Sequence, residues 1–216
     1  MTQCLNEPTS IMSKKTNRRE FVKTAGAAAA AVLFAPAIVT AQAAPKRYAL
    51  VGTGHRGTGM WGKDLVAKYA NEVKFVGLCD TNRKRVEAGK QLIGADCPTF
   101  TDLDEMLSKT KPEILMVTTV DSSHHEQITK ALALGIDVIT EKPMVTEASQ
   151  AQAIRNAEKR WKRDITVAFN YRYSPKHQKM KEILDSGEIG KITSVDFNWY
   201  LDVRHGADYF RRWHRL

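Results

Sequence analysis

The sequence predicts an α/β fold built on a doubly wound parallel sheet. Apolar segments of strand length alternate with longer segments of helical character, which is the pattern of repeated strand–helix–strand units. One apolar segment, residues 47–51, runs directly into a glycine-rich turn at residues 52–57. A second, residues 73–79, is followed at once by Asp80. A glycine turn between strand and helix, with a carboxylate after the next strand, is typical of such a sheet.

Each element of this sheet has a local signal in the sequence. Residues 113–118 form a nearly continuous apolar run, as expected for a parallel strand that is covered on both faces. Thr101 or Asp102 caps a short helix, and Gly135 ends a longer one. In chain order the predicted elements are strand 47–51, helix 58–69, strand 73–79, helix 82–93, helix 101–109, strand 113–118, helix 122–134, strand 137–140, helix 146–163 and strand 165–168. Because ligands of such sheets bind at the carboxyl ends of the strands, we expect Thr119, Lys142 and Asn170 to converge on the glycine turn.

The character of the chain changes after residue 173. A helix is predicted over residues 174–186. Residues 191–200 alternate only partly between apolar and polar side chains and are predicted to form the first strand of another sheet. The sequence therefore predicts a Rossmann domain over residues 44–173 and the beginning of an incomplete second domain over residues 174–216.

The glycine turn has the spacing that dinucleotide binding requires. Gly52, Gly54 and Gly57 follow the Gly-x-Gly-x-x-Gly pattern, which lets backbone N–H groups approach a pyrophosphate. Asp80 follows at about the twenty-residue spacing at which a carboxylate accepts hydrogen bonds from the ribose hydroxyls. Such a carboxylate repels a 2′-phosphate and favours NAD over NADP. The alternative is that the cations at residues 83–85 neutralise a 2′-phosphate and favour NADP. The alternative interpretation is a glycine turn that binds nothing.

Composition excludes several other classes of function. The chain has 216 residues, of which 43% are hydrophobic, and this is enough to bury one full α/β core. Its net charge is +9. The cations are spread along the chain without a basic stripe and interleaved aromatic residues, so nucleic-acid binding is not expected. Cys4, Cys79 and Cys97 lack the spacing of a disulfide framework or a metal site.

The first 43 residues resemble a twin-arginine export signal. Arg18 and Arg19 are followed by an apolar stretch over residues 25–39 and by the small-x-small sequence Ala41-Gln42-Ala43. The apolar stretch is shorter than the ~20 residues of a membrane-spanning helix, so we expect cleavage after Ala43 and no stable membrane anchor. This signal predicts passage through the twin-arginine machinery and a periplasmic or exported protein.

Five motifs together identify a family resemblance. In order they are Gly52-x-Gly54-x-x-Gly57, Cys79-Asp80, Thr118-Thr119 with His124, Glu141-Lys142-Pro143, and Asn170-Tyr171-Arg172-Tyr173-x-Pro175. This order resembles the Gfo/Idh/MocA oxidoreductases of the glucose-fructose oxidoreductase type, from about Lys46 to the last residue. The resemblance implies a Rossmann domain followed by a second, largely antiparallel α+β sheet domain. It implies that this second domain forms the substrate pocket and the interface of a homo-oligomer.

The resemblance also assigns candidate site residues. The implied cofactor contacts are Gly52, Gly54, Arg56, Gly57, Asp80, Thr119, His124, Glu141, Lys142 and Arg172. Lys142 is the implied catalytic residue, at the reacting carbinol, which loses hydride on oxidation and is formed again when the carbonyl is reduced. A lysine partly removed from water beside a cationic nicotinamide ring exchanges its proton readily, which suits a general acid or base. The alternatives are a surface lysine paired with Glu141 and a solvated histidine at position 124.

Two features depart from the family pattern. The usual Thr-Pro-Asn after the fourth strand is replaced by Thr119-Val120-Asp121. The family's Asp-x-x-x-His pair is expected beyond Leu216, so the 216-residue chain is expected to be truncated and to show no turnover by itself.

The leading hypothesis is an exported oxidoreductase that uses NAD to oxidise or reduce a secondary hydroxyl of a sugar or sugar derivative. The first alternative is an NAD-dependent glycosidase that acts through a keto-sugar, and the second is an inert nucleotide-binding truncation. Release of an aglycone without net redox change would favour the glycosidase. No metal is expected in any of these.

Overall fold

The computed structural model describes residues 44–211, and its centre is the predicted doubly wound sheet. The strands are β1 (Lys46–Val51), β2 (Val73–Cys79), β3 (Thr99–Phe100), β4 (Ile114–Val117), β5 (Asp137–Thr140) and β6 (Ile165–Val167). The helices are α1 (Asp64–Tyr69), α2 (Arg83–Ile93), α3 (Leu103–Thr110), α4 (His124–Ala133), α5 (Ala148–Trp161), α6 (Pro175–Ser186) and α7 (Val203–Arg211). All strand pairs are parallel, in the order β3-β2-β1-β4-β5-β6.

The core lies on both faces of this sheet. Side chains of a strand alternate between its faces, so Leu50 joins one apolar cluster while Ala49 and Val51 join the other. The first cluster contains Leu78 and Val86, which come from β2 and α2. All five of these residues are buried. This burial on both sides explains why the central strands are continuous apolar runs.

The strand order places a cleft at one end of the sheet. The chain leaves β1 toward β2 on one side and reaches β4 on the other, so the connections diverge between β1 and β4. The registers pair Val51 with Cys79 and Val117, and Val117 with Thr140. The residues that follow these strand ends therefore stand side by side at the edge where such sheets bind ligands.

Several boundaries differ from the sequence-based predictions. The helix predicted at residue 58 begins with a π-helical turn, Gly57–Lys63, before α1. The short strand β3 was not predicted. Asp102, one of two predicted caps, begins α3 and accepts a hydrogen bond from the Glu105 N–H.

The strand predicted over residues 191–200 was wrong. These residues form neither strand nor helix, are all exposed, and are followed by α7, which was not predicted. A strand is defined by hydrogen bonds to a neighbouring strand, and no strand of the described sheet lies beside this segment. Alternating side chains alone do not supply such a partner.

The predicted export signal lies outside the described residues. Within residues 44–211, no helix has the length and apolar character needed to cross a membrane.

Candidate functional site

A cleft of about 1590 Å³ opens at the carboxyl edge of the sheet. Its walls come from the segments that follow all six strands, together with residues 199–202. Thr119, Lys142 and Asn170, which were expected to converge here, all line it. The volume exceeds the roughly 300–1,000 Å³ of pockets for drug-sized ligands, so it has room for a dinucleotide.

The glycine turn forms the floor of the cleft, and each glycine has a separate reason. Gly52 has a φ of 92°, and a Cβ there would lie 2.7 Å from the backbone of Thr118. A Cβ on Gly57 would lie 2.2 Å from the carbonyl oxygen of Gly52. A Cβ on Gly54 would meet nothing within 4 Å. Gly52 and Gly57 therefore let the chain pack closely, whereas Gly54 faces the space that a ligand would occupy.

The start of the following helix provides donors to this space. Thr58 closes the first turn, donating its backbone N–H to the Gly54 oxygen at 2.9 Å. The backbone N–H groups of residues 54–56 precede this bond, and the first N–H groups of a helix have no partner within it. Such a turn suits an anion such as a pyrophosphate, so the residues present fit the dinucleotide that the sequence predicts.

The Asp80 carboxylate is buried and holds the glycine turn from the end of β2. Its Oδ2 accepts from the Thr53 backbone N–H at 3.0 Å and hydroxyl at 3.2 Å. Its Oδ1 accepts from the Asn82 backbone N–H at 2.9 Å and lies 3.6 Å from a guanidinium nitrogen of Arg85. Asp80 and Arg85 both line the cleft, so the carboxylate and the cation that bear on NAD versus NADP are neighbours.

The Glu141 carboxylate, directly after β5, is hydrogen-bonded to the glycine turn and to the π-helical turn that follows it. Its Oε1 accepts from the Nε of Arg56 at 2.5 Å and from the indole Nε1 of Trp61 at 2.7 Å. Its Oε2 accepts from the backbone N–H of Lys142 at 3.2 Å. Sequence reasoning did not identify Trp61, because nothing near it in the chain signals a partner 80 residues away.

The Lys142 side chain is exposed and lines the cleft. Across residues 44–211 its ammonium has no hydrogen bond or ion pair, and the Glu141 carboxylate is occupied by Arg56 and Trp61 instead. The alternative of a lysine paired with Glu141 is therefore not what the structure contains. The peptide bond between Lys142 and Pro143 is cis. The geometry leaves this cation available to a ligand in the cleft.

His124 is buried rather than solvated. Its Nδ1 lies 2.8 Å from the Pro143 carbonyl oxygen, and its Nε2 lies 3.2 Å from that of Thr119. The ring thus joins the segment after β4 to the segment after β5. The Thr119 hydroxyl itself is within hydrogen-bond distance of Ser123 and Gln127. Whether His124 and Thr119 contact a cofactor stays a prediction.

Arg172 lies outside the lining of the cleft. Its guanidinium carbon stands 5.8 Å from the ring centre of Phe169, and its side chain is exposed. Phe169 and Tyr171 do line the cleft. Arg172 therefore contacts Phe169, which lines the cleft, but does not line the cleft itself. Its role toward the cofactor stays a prediction.

Cysteine and metal chemistry are not indicated in the described part of the chain. Cys79 lines the cleft, but burial, with smaller contributions from Asp102, Asp80 and Glu105, raises its pKa to about 12. Its thiol is therefore protonated near neutral pH and is a poor nucleophile. Among residues 44–211 no group of three or more His, Cys, Asp or Glu side chains is placed to hold a metal ion.

Comparison with known proteins gives one consistent family. Residues 46–169 match the family described as "Oxidoreductase family, NAD-binding Rossmann fold". The chain is 42% identical over 174 residues to the putative oxidoreductase YteT of Bacillus subtilis, covering 79% of this chain and 41% of that protein. It is 30% identical over 148 residues to the inositol 2-dehydrogenase of Salmonella typhimurium, covering 67% and 44%.

A solved structure agrees with this. The WlbA dehydrogenase of Chromobacterium violaceum, in complex with NADH and UDP-GlcNAcA, superposes with a TM-score of 0.64 at 25% identity, covering 71% of this chain and 43% of that one. The chain thus spans less than half the length of the relatives it matches.

Proposed function

Since the chain belongs to the Gfo/Idh/MocA oxidoreductase family, with its NAD-binding Rossmann fold, we propose that it binds NAD for hydride transfer at a secondary hydroxyl. The substrate we propose is a sugar or sugar derivative. The relatives named inositol 2-dehydrogenase and the WlbA complex with UDP-GlcNAcA support a cyclic, hydroxyl-bearing substrate.

The observation that carries this proposal is the position of Lys142. Its ammonium, which has no hydrogen bond or ion pair within residues 44–211, lines the same cleft as the glycine turn. When bound, NAD supplies the hydride acceptor. The chain's own part is to hold the pyrophosphate at the N–H groups of residues 54–56 and to move the hydroxyl proton at the Nζ of Lys142. The neutral amine accepts this proton when the hydroxyl is oxidised, and the ammonium returns it when the carbonyl is reduced. A carbinol oxygen at that Nζ would be oriented by the same hydrogen bond that moves its proton.

Two measurements test the proposal. Isothermal titration of residues 44–216 should detect NAD binding. A form of the protein that turns over should reduce bound NAD when given cyclic polyols, aldoses or nucleotide sugars. Absence of NAD binding by the folded chain would contradict the proposal, and aglycone release without net redox change would favour the glycosidase alternative instead.

We expect NAD to bind more tightly than NADP, by at least about tenfold, equivalent to about 1.4 kcal/mol. The physical reason is that the Asp80 carboxylate is buried at the end of β2 and repels a 2′-phosphate. Titration of both cofactors measures the ratio of their dissociation constants. Asp80→Ser should reduce this ratio toward one, leaving Arg85 to attract the phosphate.

The ratio is the informative quantity here, because Asp80→Ser also removes the hydrogen bonds to Thr53 and Asn82. Asp104→Ser is the matched control, since Asp104 is exposed on α3 and pairs with Lys130 outside the cleft. Equal affinity of the unaltered chain for NAD and NADP would show that the cations at residues 83–85 outweigh the carboxylate.

We further propose export by the twin-arginine route. Replacing Arg18 and Arg19 by lysine should abolish export, because the adjacent arginines are read by a receptor and not as bulk charge. Immunodetection in the periplasmic fraction measures this, and mass spectrometry of the exported protein should find Ala44 at its amino terminus. Undiminished export of the double-lysine variant would contradict the proposal.

A further inference from the structure

The Arg56–Glu141–Trp61 cluster has a feature that cofactor binding does not require. The Glu141 side chain is only 8% exposed, and its Oε1 accepts from two donors, one in the glycine turn and one in the π-helical turn that follows it. A buried carboxylate is costly unless hydrogen bonds satisfy it, so its preferred partners are decided by which donors lie within reach. The nearest other cation along the chain is Lys142.

Lys142 and Glu141 are covalent neighbours of opposite charge, yet their side chains are not paired in the structure. The residues meet only through the Lys142 backbone N–H, which donates to Oε2 at 3.2 Å. Glu141 also lines the cleft, so an ammonium that formed an ion pair with it would be held at that carboxylate and would be less available to a substrate. A donor that holds the Glu141 carboxylate in a hydrogen bond therefore also leaves the Lys142 ammonium available to a substrate.

The two donors to Oε1 differ in how firmly they are held. The Arg56 side chain is 42% exposed and lines the cleft, so its guanidinium has room to move. Trp61 packs on the apolar cluster of Leu50 and Leu78, and its indole carries a single N–H donor in a fixed direction. The fixed member of the pair is the indole.

The local backbone explains how the indole reaches Glu141. Trp61 lies in the π-helical turn between two buried glycines, Gly57 and Gly62. A Cβ on Gly62 would lie 2.4 Å from the Ile93 side chain, so this turn packs directly against α2. Close packing at both glycines fixes the turn, and with it the ring at position 61.

We infer that Trp61 is a positioning residue: its indole N–H holds the Glu141 carboxylate and thereby keeps the Lys142 ammonium free for the substrate. This inference rests on the proposed function for its catalytic consequence. The structural part, namely that Trp61 controls the pairing of Lys142, is measurable without turnover.

The test is Trp61→Phe, which keeps an aromatic ring in the apolar cluster and removes the N–H donor together with the five-membered ring of the indole. In the variant, Glu141 should pair with the Lys142 ammonium, and acylation of the Lys142 amine by N-succinimidyl acetate should slow about two- to fivefold, the range of a partly exposed ion pair. Peptide mass spectrometry after brief labelling of the folded chain measures this rate. In a form that turns over, kcat should fall, by up to about a hundredfold, with KM and NAD affinity nearly unchanged.

Three further variants make the result specific. Trp61→Phe combined with Glu141→Gln should restore the labelling rate, since a neutral amide does not hold the ammonium. Glu141→Gln alone should label Lys142 at least as fast as the unaltered chain, which keeps the test usable if Trp61→Phe fails to fold. Trp161→Phe, at an exposed indole stacked near Arg160 on α5, is the matched control and should change nothing.

Unchanged labelling of Lys142 in folded Trp61→Phe would overturn the inference, as would slower labelling in Glu141→Gln. Loss of NAD binding in Trp61→Phe with normal Lys142 labelling would also overturn it, because Trp61 would then serve the cofactor. If the unaltered chain bound no NAD while the labelling results held, the proposed function would fail and the pairing role of Trp61 would stand.

Discussion

Lys142→Ala is expected to lower kcat by about 10²- to 10⁴-fold, the contribution of a positioned acid or base. NAD affinity should change far less, because the proposed pyrophosphate site is formed by the N–H groups of the glycine turn and not by the ammonium. The reason for the asymmetry is positional: Lys142 stands at the end of β5, while the turn follows β1. Steady-state kinetics with isothermal titration, in a form of the protein that turns over, separates the two effects.

Lys159→Ala is the control for removing a lysine, since Lys159 is exposed in the last turn of α5 and does not line the cleft. Its kcat should stay within about twofold, as surface substitutions have small effects. If Lys142→Ala retained kcat and instead lost NAD affinity, the lysine would be a cofactor ligand only, and the proton would need another carrier.

Gly57→Ala is expected to weaken folding and NAD binding together. The added Cβ would lie 2.2 Å from the Gly52 carbonyl oxygen and 2.6 Å from the Thr118 hydroxyl. A backbone oxygen moves only if the turn moves, and the Thr118 hydroxyl already bonds the Gly52 oxygen at 2.6 Å. We expect a loss of about 1–3 kcal/mol in the free energy of unfolding, typical of overpacking, and at least about tenfold weaker NAD binding.

Gly59→Ala is the matched control for this variant. Gly59 lies in the same π-helical turn, and a Cβ there would meet nothing within 4 Å. Alanine should be tolerated or add roughly 0.5–1 kcal/mol, since glycine is disfavoured inside helices. Chemical denaturation and NAD titration of both variants give the comparison. Equal stability and equal NAD affinity of the two variants would contradict the assignment of Gly57 to close packing.

The sheet was predictable because its signals are local. The runs that became β2 and β5 have the predicted bounds, and β1 differs by one residue at its start. Their apolar side chains predict burial in the core, and the glycines after β1 predict a close backbone approach that a side chain would prevent. The alternation of strands and helices then left a parallel, doubly wound sheet as the expected topology.

The failure at residues 191–200 has the opposite cause. Their side chains carry a partial strand pattern, with Phe197 and Trp199 both exposed. A helix satisfies its hydrogen bonds within its own segment, whereas a strand requires a second segment at the right distance. The pattern of apolar and polar residues therefore predicts a helix such as α6 more reliably than it predicts a strand outside the sheet.

The sequence by itself determined which functional residues follow each strand: a glycine turn follows the first strand, a carboxylate follows the second, and Glu141-Lys142 follows the fifth. These placements depend on residue types at fixed spacings along the chain, so they can be predicted without knowing any contact. Only the tertiary structure decided that Glu141 pairs with Arg56 and Trp61, 85 and 80 residues away, and that His124 is buried between two carbonyl oxygens. Hydrogen bonds between distant segments depend on which donors the packed sheet brings within about 3 Å, and one-dimensional spacing does not contain that information.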